Sequence, residues 1–128
     1  MNENELIING DTYIKKETVD GLTYENISTN KLAAYAFQKM GYEILTMVEG
    51  TKNGPDMHIK KNDLVLRVEI KKARAIKRSM AVHPIEPARK NDDLVAVVFP
   101  SGYVFIEPMQ DYLFNCSDCG TRSFFGIY

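Results

Sequence analysis

No run of apolar residues in this chain approaches the roughly 20 that a membrane-spanning helix needs. Cysteine is scarce: there are two, Cys116 and Cys119. Two thiols cannot build a disulfide scaffold, and a reducing interior is the default for such a chain. The opening residues, Met1-Asn2-Glu3-Asn4-Glu5, carry acids where a secretory leader carries bases. The expected location is therefore cytoplasmic, in a bacterium, an archaeon or a phage-infected host. Several motifs are also missing. There is no Walker-type glycine loop, no G-x-G-x-x-G, no H-E-x-x-H and no G-x-S-x-G, which removes the commonest nucleotide, zinc-protease and serine-hydrolase readings. Cys116-Ser117-Asp118-Cys119 is a lone C-x-x-C. A structural zinc needs four ligands, so a symmetric dimer would have to supply the second pair. With 8 Gly, 5 Pro, 45% hydrophobic and 26% charged residues, the chain is neither collagen-like nor disordered. Its 128 residues fit one domain, 1–128, with 1–25 as a lead-in strand or a loose N-terminal arm.

The net charge of -1 conceals a division along the chain. Residues 52–90 hold eleven Lys and Arg against four acids, whereas the remainder holds five against thirteen. A basic middle in an acidic frame suggests a face that attracts a polyanion. A solvated lysine-rich surface is the other reading, because charge bears on association and not on fold.

A helix start is marked at Ser28 or Thr29, either of which can accept from the first free backbone N–H groups. Leu32, Ala33, Tyr35, Ala36, Phe37 and Met40 recur at helical spacing, and Gly41 follows where a left-handed cap is wanted. The pattern predicts a helix over 28–40, with its aromatic stripe as core. Strands are predicted over 42–48, 56–60, 64–71, 94–99 and 103–106, and a short helix over 109–114 after Pro108. The unbroken apolar run 94–99 is that of a strand buried on both faces. Pro84 and Pro87 argue against one long helix over 73–93.

Chemistry concentrates on the two middle strands. Asn62-Asp63 reads as a two-residue hairpin loop, which sets Lys61 opposite Leu64, His58 opposite Arg67 and Asp56 opposite Glu69. Two carboxylates then face each other across the pair, about 5 Å apart at Cβ, an arrangement a stable sheet avoids. A hard divalent cation turns the repulsion into attraction, and Mg²⁺ is held by one or two carboxylates plus water and phosphate oxygens. Lys71 points to the same side as Glu69 and can orient a water or stabilise charge on a phosphate. Metal, water and cation at one spot fit phosphodiester hydrolysis. The competing reading is an exposed hairpin whose lysines neutralise its acids. His58 shares the polar face and would assist the pair or bind phosphate, or else be a plain surface histidine.

Gly54-Pro55-Asp56, twelve intervening residues and Glu69-Ile70-Lys71 resemble the PD-(D/E)XK signature of the restriction-endonuclease-like nucleases. The surrounding order of helix, three-strand meander, variable segment and apolar strand is similar too. Within that superfamily the layout resembles small resolvase-like and phage or homing-type endonucleases.

The resemblance implies an α/β fold: a restriction-endonuclease-like core with a mixed, largely antiparallel central sheet flanked by helices. It implies Asp56 and Glu69 as metal ligands, the Ile70 carbonyl as a further ligand, and Lys71 as the catalytic lysine. Mg²⁺ would be the cofactor, with Mn²⁺ as substitute. Many members also place a Glu on the first helix. That slot falls near Asn30, no acid lies between Ser28 and Met40, and Glu25 is the nearest substitute. The metal count stays open at this point. Lys52, Lys72, Arg74, Lys77 and Arg78 would contact DNA phosphates. The expectation is a Mg²⁺-dependent DNA endonuclease acting as a homodimer, with an interface built from Phe124, Phe125 and Tyr128. A catalytically inactive nucleic-acid-binding module of the same fold is the chief alternative, and an interaction protein with no nucleic-acid role is a third.

Overall fold

The computed structural model describes residues 5–8, 11–18, 21–24, 28–48, 54–76, 79–117 and 120–125. Three antiparallel strands come first: β1 (Glu5–Ile8), β2 (Asp11–Thr18) and β3 (Gly21–Tyr24), in the order β1-β2-β3. One lead-in strand or a loose arm was the expectation here, and three paired strands replace it. The overlooked signal is Asn9-Gly10, a strong two-residue hairpin dipeptide. It lies between the partners Ile8 and Asp11.

Helix α1 (Thr29–Lys39) follows. Its start is set by Ser28, whose Oγ accepts from the Lys31 N–H at 3.3 Å. Its end is set by Gly41, at φ +92°. The Gly41 N–H bonds the Gln38 carbonyl and the Tyr42 N–H bonds the Phe37 carbonyl, each at 3.0 Å. That pair of bonds satisfies the last free carbonyls. The Tyr42 ring then packs edge-on against Phe37, 5.8 Å between centroids. Removing the N-terminal hydroxyl with Ser28→Ala should cost about 1 kcal/mol. A melting point lower by roughly 3–5 °C in thermal denaturation would be the readout.

The remaining elements are β4 (Glu43–Met47), β5 (Met57–Lys61), β6 (Leu64–Lys72), β7 (Arg74–Ile76), β8 (Ser79–Val82), a 3-10 turn (Pro87–Arg89), β9 (Leu94–Val98), β10 (Val104–Pro108), α2 (Met109–Phe114) and β11 (Arg122–Phe125). Five of the strands form the central sheet in the order β10-β9-β6-β5-β4. Only β6–β9 is parallel. This is the expected α/β architecture: a mixed, largely antiparallel sheet with a helix on each face.

The segment 73–93 is the crossover from β6 to its parallel neighbour. Such a connection is usually a helix. Here β7 and β8 pair antiparallel, and β8 pairs with β11 to give a third small sheet, β11-β8-β7.

Strand β9 explains why both helices are needed. Ala96 and Val98 face α1, packing with Leu32, Ala33, Phe37, Met57, Ile59, Val68 and Ile70. Val95 and Val97 face the other way, into a second core with Ala73, Val82, Ile85, Phe99, Met109, Tyr112 and Phe124. Phe124 is 7% exposed. It stacks edge-on with Phe99 and Phe105 at centroid distances of 5.1 and 5.2 Å. This corrects the expected interface: Phe124 belongs to the core, while the Phe125 side chain and Tyr128 lie outside the described residues. Among the described residues, no helix is long and apolar enough to cross a membrane.

Candidate metal and phosphate site

The β5–β6 hairpin has the register that its two-residue loop dictates. Lys61 pairs with Leu64, Lys60 with Val65, Ile59 with Leu66, His58 with Arg67 and Met57 with Val68. Asn62 takes φ +56°, a left-handed conformation that Asn accepts far more readily than bulky residues. One step beyond Met57–Val68, Asp56 arrives opposite Glu69. Alternation turns Glu69 and Lys71 away from α1, beside Val95 and Val97 of β9.

Asp56 is held by two hydrogen bonds, one of them braced from behind. The Val48 N–H donates to its carbonyl at 2.9 Å. The Ile70 N–H donates to its Oδ2 at 2.8 Å. Behind Val48, the Asn30 side-chain amide donates to the Val48 carbonyl at 2.7 Å. Asn30 therefore stands where a helix acid was sought, and it braces the stem from which Asp56 emerges.

The Glu69 residue is 7% exposed. Its carboxyl group is pushed up to about 8, first by burial, then by the charge of Asp56 and a hydrogen bond shared with that side chain. Two carboxyl groups that share a hydrogen bond must hold one proton between them, which is how paired acids behave without a cation. Lys71 acts in the opposite direction. Its Nζ lies 4.0 Å from Glu69 Oε1, and its side chain is 18% exposed.

Hard oxygen donors of this type suit a hard cation such as Mg²⁺ or Mn²⁺. Among the described residues, no group of three His, Cys, Asp or Glu side chains could hold a metal ion. Two carboxylates and the Ile70 carbonyl would leave the other positions to water and a phosphate oxygen, as Mg²⁺ commonly does.

The other expected residues are more dispersed. His58 Nδ1 lies 2.7 Å from Thr46 Oγ1 on β4, and that hydrogen bond ties the ring to the neighbouring strand. Lys72 alternates to the opposite face from Lys71. With Ser28, Thr29, Leu32, Val98, Phe99 and Pro100 it lines a cleft at the α1 N-terminus. Arg74 is exposed on β7. Lys52, Lys77, Arg78, Glu25 and Cys119 lie outside the described residues. The Cys116 Sγ is 3.3 Å from the Tyr112 carbonyl, and burial pushes its thiol up.

Asp92 is a residue that sequence reasoning missed. It is 5% exposed, its charge helps raise Glu69, and the charge of Asp56 helps raise it in turn. The available signal was the pair Asp92-Asp93 leading directly into the all-apolar strand.

No family model and no curated protein matches this sequence. Among solved structures, the chain is similar to a bacterial homing endonuclease, I-Ssp6803I. The two are 14% identical, with a TM-score of 0.63 over 78% of this chain and 72% of that one. At this identity the likeness is one of fold, and the chain has an endonuclease-like fold.

Proposed function

We propose that this protein is a Mg²⁺-dependent DNA endonuclease of the PD-(D/E)XK class. The observation that carries the reading is the convergence of Asp56 and Glu69 across β5–β6, with the Lys71 amine beside them. The endonuclease-like fold adds support. Asp56 and Glu69 would hold the cation together with the Ile70 carbonyl. When bound, the cation supplies Lewis-acid polarisation of the scissile phosphate and a more acidic bound water.

The protein's own contribution is positional. Central strand β6 fixes Glu69 and Lys71 two residues apart on one face, and the Asn30–Val48–Asp56 chain of hydrogen bonds fixes the opposing acid. Lys71, as an ammonium, donates from Nζ to a phosphate oxygen as negative charge builds there. Lys72 and Arg74 are exposed and available to DNA phosphates outside the reacting centre. By charge alone, Lys52, Lys77 and Arg78 of the same basic segment would join them. A homodimer would bring two such sites to the two strands of a duplex.

The test is nicking of supercoiled plasmid, run alongside cleavage of linear duplex and of a four-way junction. Cleavage that needs Mg²⁺ or Mn²⁺ and stops in EDTA is the expected result. Preference for the junction would support resolvase-like specificity. The competing reading, a binding module without catalysis, is favoured by the amide of Asn30 at the helix-acid position. DNA binding without cleavage in either metal would select it.

A further inference from the structure

Asp92 has two properties that a surface acid lacks. It is 5% exposed, and its Oδ2 has no hydrogen-bond partner. Its Oδ1 meets Arg89 Nη1 only at 3.8 Å. A buried carboxyl group so thinly matched is costly, and such a group needs a reason.

Its location supplies one. The Arg67 N–H donates to Asp93 Oδ2 at 2.8 Å, and the Asp93 N–H donates to the Arg67 carbonyl at 2.9 Å. The Arg67 guanidinium also bonds the Asn91 carbonyl. These bonds clamp residues 91–93 against β6, two residues before Glu69. Asp92, just before β9, is thereby held beside β6, where its charge acts on Glu69 and that of Asp56 acts on it. Arg67, Lys71 and Arg89 surround them and offset part of the charge.

We infer that Asp92 is a further cation-positioning residue, acting through bound water on a divalent ion held by Asp56 and Glu69. The inference rests on the function proposed above. Asp92 is not a direct ligand, since no three acidic side chains among the described residues could hold an ion together. Mg²⁺ keeps several of its waters when it binds protein. A fixed carboxylate oxygen beyond the direct ligands orients such water, and removing partners of this kind typically weakens metal binding by 10–100-fold.

The experiment is calorimetric titration of the full chain with Mn²⁺ alone, at one pH and without DNA. Wild type should bind, and folded Asp92→Asn should bind about 10–100-fold more weakly. Equal Mn²⁺ affinity in wild type and Asp92→Asn overturns this inference and leaves the nuclease reading intact. In that case Asp92 serves only to anchor Arg89, and Arg89→Met should lower the melting point as much as Asp92→Asn. No Mn²⁺ binding by wild type overturns both readings. If Asp92→Asn does not fold, ¹³C carboxyl resonances of wild type during Mg²⁺ titration decide the matter. An Asp92 signal that moves together with Asp56 supports the role, and one that stays still rejects it.

Discussion

Lys71→Ala should lower Mg²⁺-dependent plasmid nicking by about 10²–10³-fold, the usual loss when one electrostatic donor to a transition state is removed. The reason is local. Lys71 is the cation that acts on Glu69, and its side chain is mostly covered, so water is a poor replacement. Asp56→Ala should be at least as damaging, because it removes a proposed metal-holding carboxylate whose Oδ2 accepts from the Ile70 N–H at 2.8 Å. Binding of both variants to duplex DNA in EDTA should match wild type, since phosphate contacts elsewhere supply the sequence-independent affinity. Nicking by Lys71→Ala at the wild-type rate would refute the catalytic role of this amine. Loss of DNA binding in step with cleavage would place both residues in the interface and not in the chemistry.

The second large effect is on stability as a function of pH. Without metal, Glu69 holds its proton up to about 8 in the folded protein, against 4.5 for an ordinary glutamate. Below pH 4.5 both folded and unfolded chains keep the proton, and the site imposes no penalty. Between 4.5 and 8 the unfolded chain has released it and the folded one has not. Folding then takes up a proton, and stability falls as pH rises. Above 8 the folded chain carries the full burden of a buried charge beside Asp56. At about 1.4 kcal/mol per unit, the span is on the order of a few kcal/mol. Glu69→Gln should flatten the decline and melt higher than wild type at pH 8 in EDTA. Saturating Mg²⁺ should flatten it as well, by favouring the ionised pair. Urea denaturation of wild type and Glu69→Gln from pH 5 to 9 checks this. A variant less stable than wild type at pH 8 would contradict it. A stabilising mutation at a carboxylate proposed to hold the cation would be the usual trade between activity and stability.

Much of this site was legible because a hairpin's register is a counting problem. Once Asn62-Asp63 is the turn, period-two alternation places Met57, Ile59, Val68 and Ile70 in the core and Glu69 on the other face. Helix α1 was equally readable, since Ser28 and Gly41 bracket its apolar stripe. The limits were non-local. Nothing in the letters of 73–93 says that β8 pairs with β11, forty residues further on. Asp92 was invisible for the same reason: it nears Glu69 only because β9 runs parallel to β6. Phe124 was misplaced because a terminal aromatic reads as exposed until its partners Phe99 and Phe105 are known. Strands β1 to β3 were simply under-read, as the dipeptide Asn9-Gly10 is itself a hairpin signal.

Strand β6 lies in the middle of its sheet, bonded to β5 on one side and β9 on the other. Its amides should be among the last to exchange with heavy water, because edges and termini open at lower free energy. Fraying at β10 would leave the paired acids and the amine together, whereas fraying at β4 would loosen the Val48 amide that holds Asp56. A molecule opened only at its β10 edge would thus stay competent, and one opened at its β4 edge would lose part of its hold on one of the two acids.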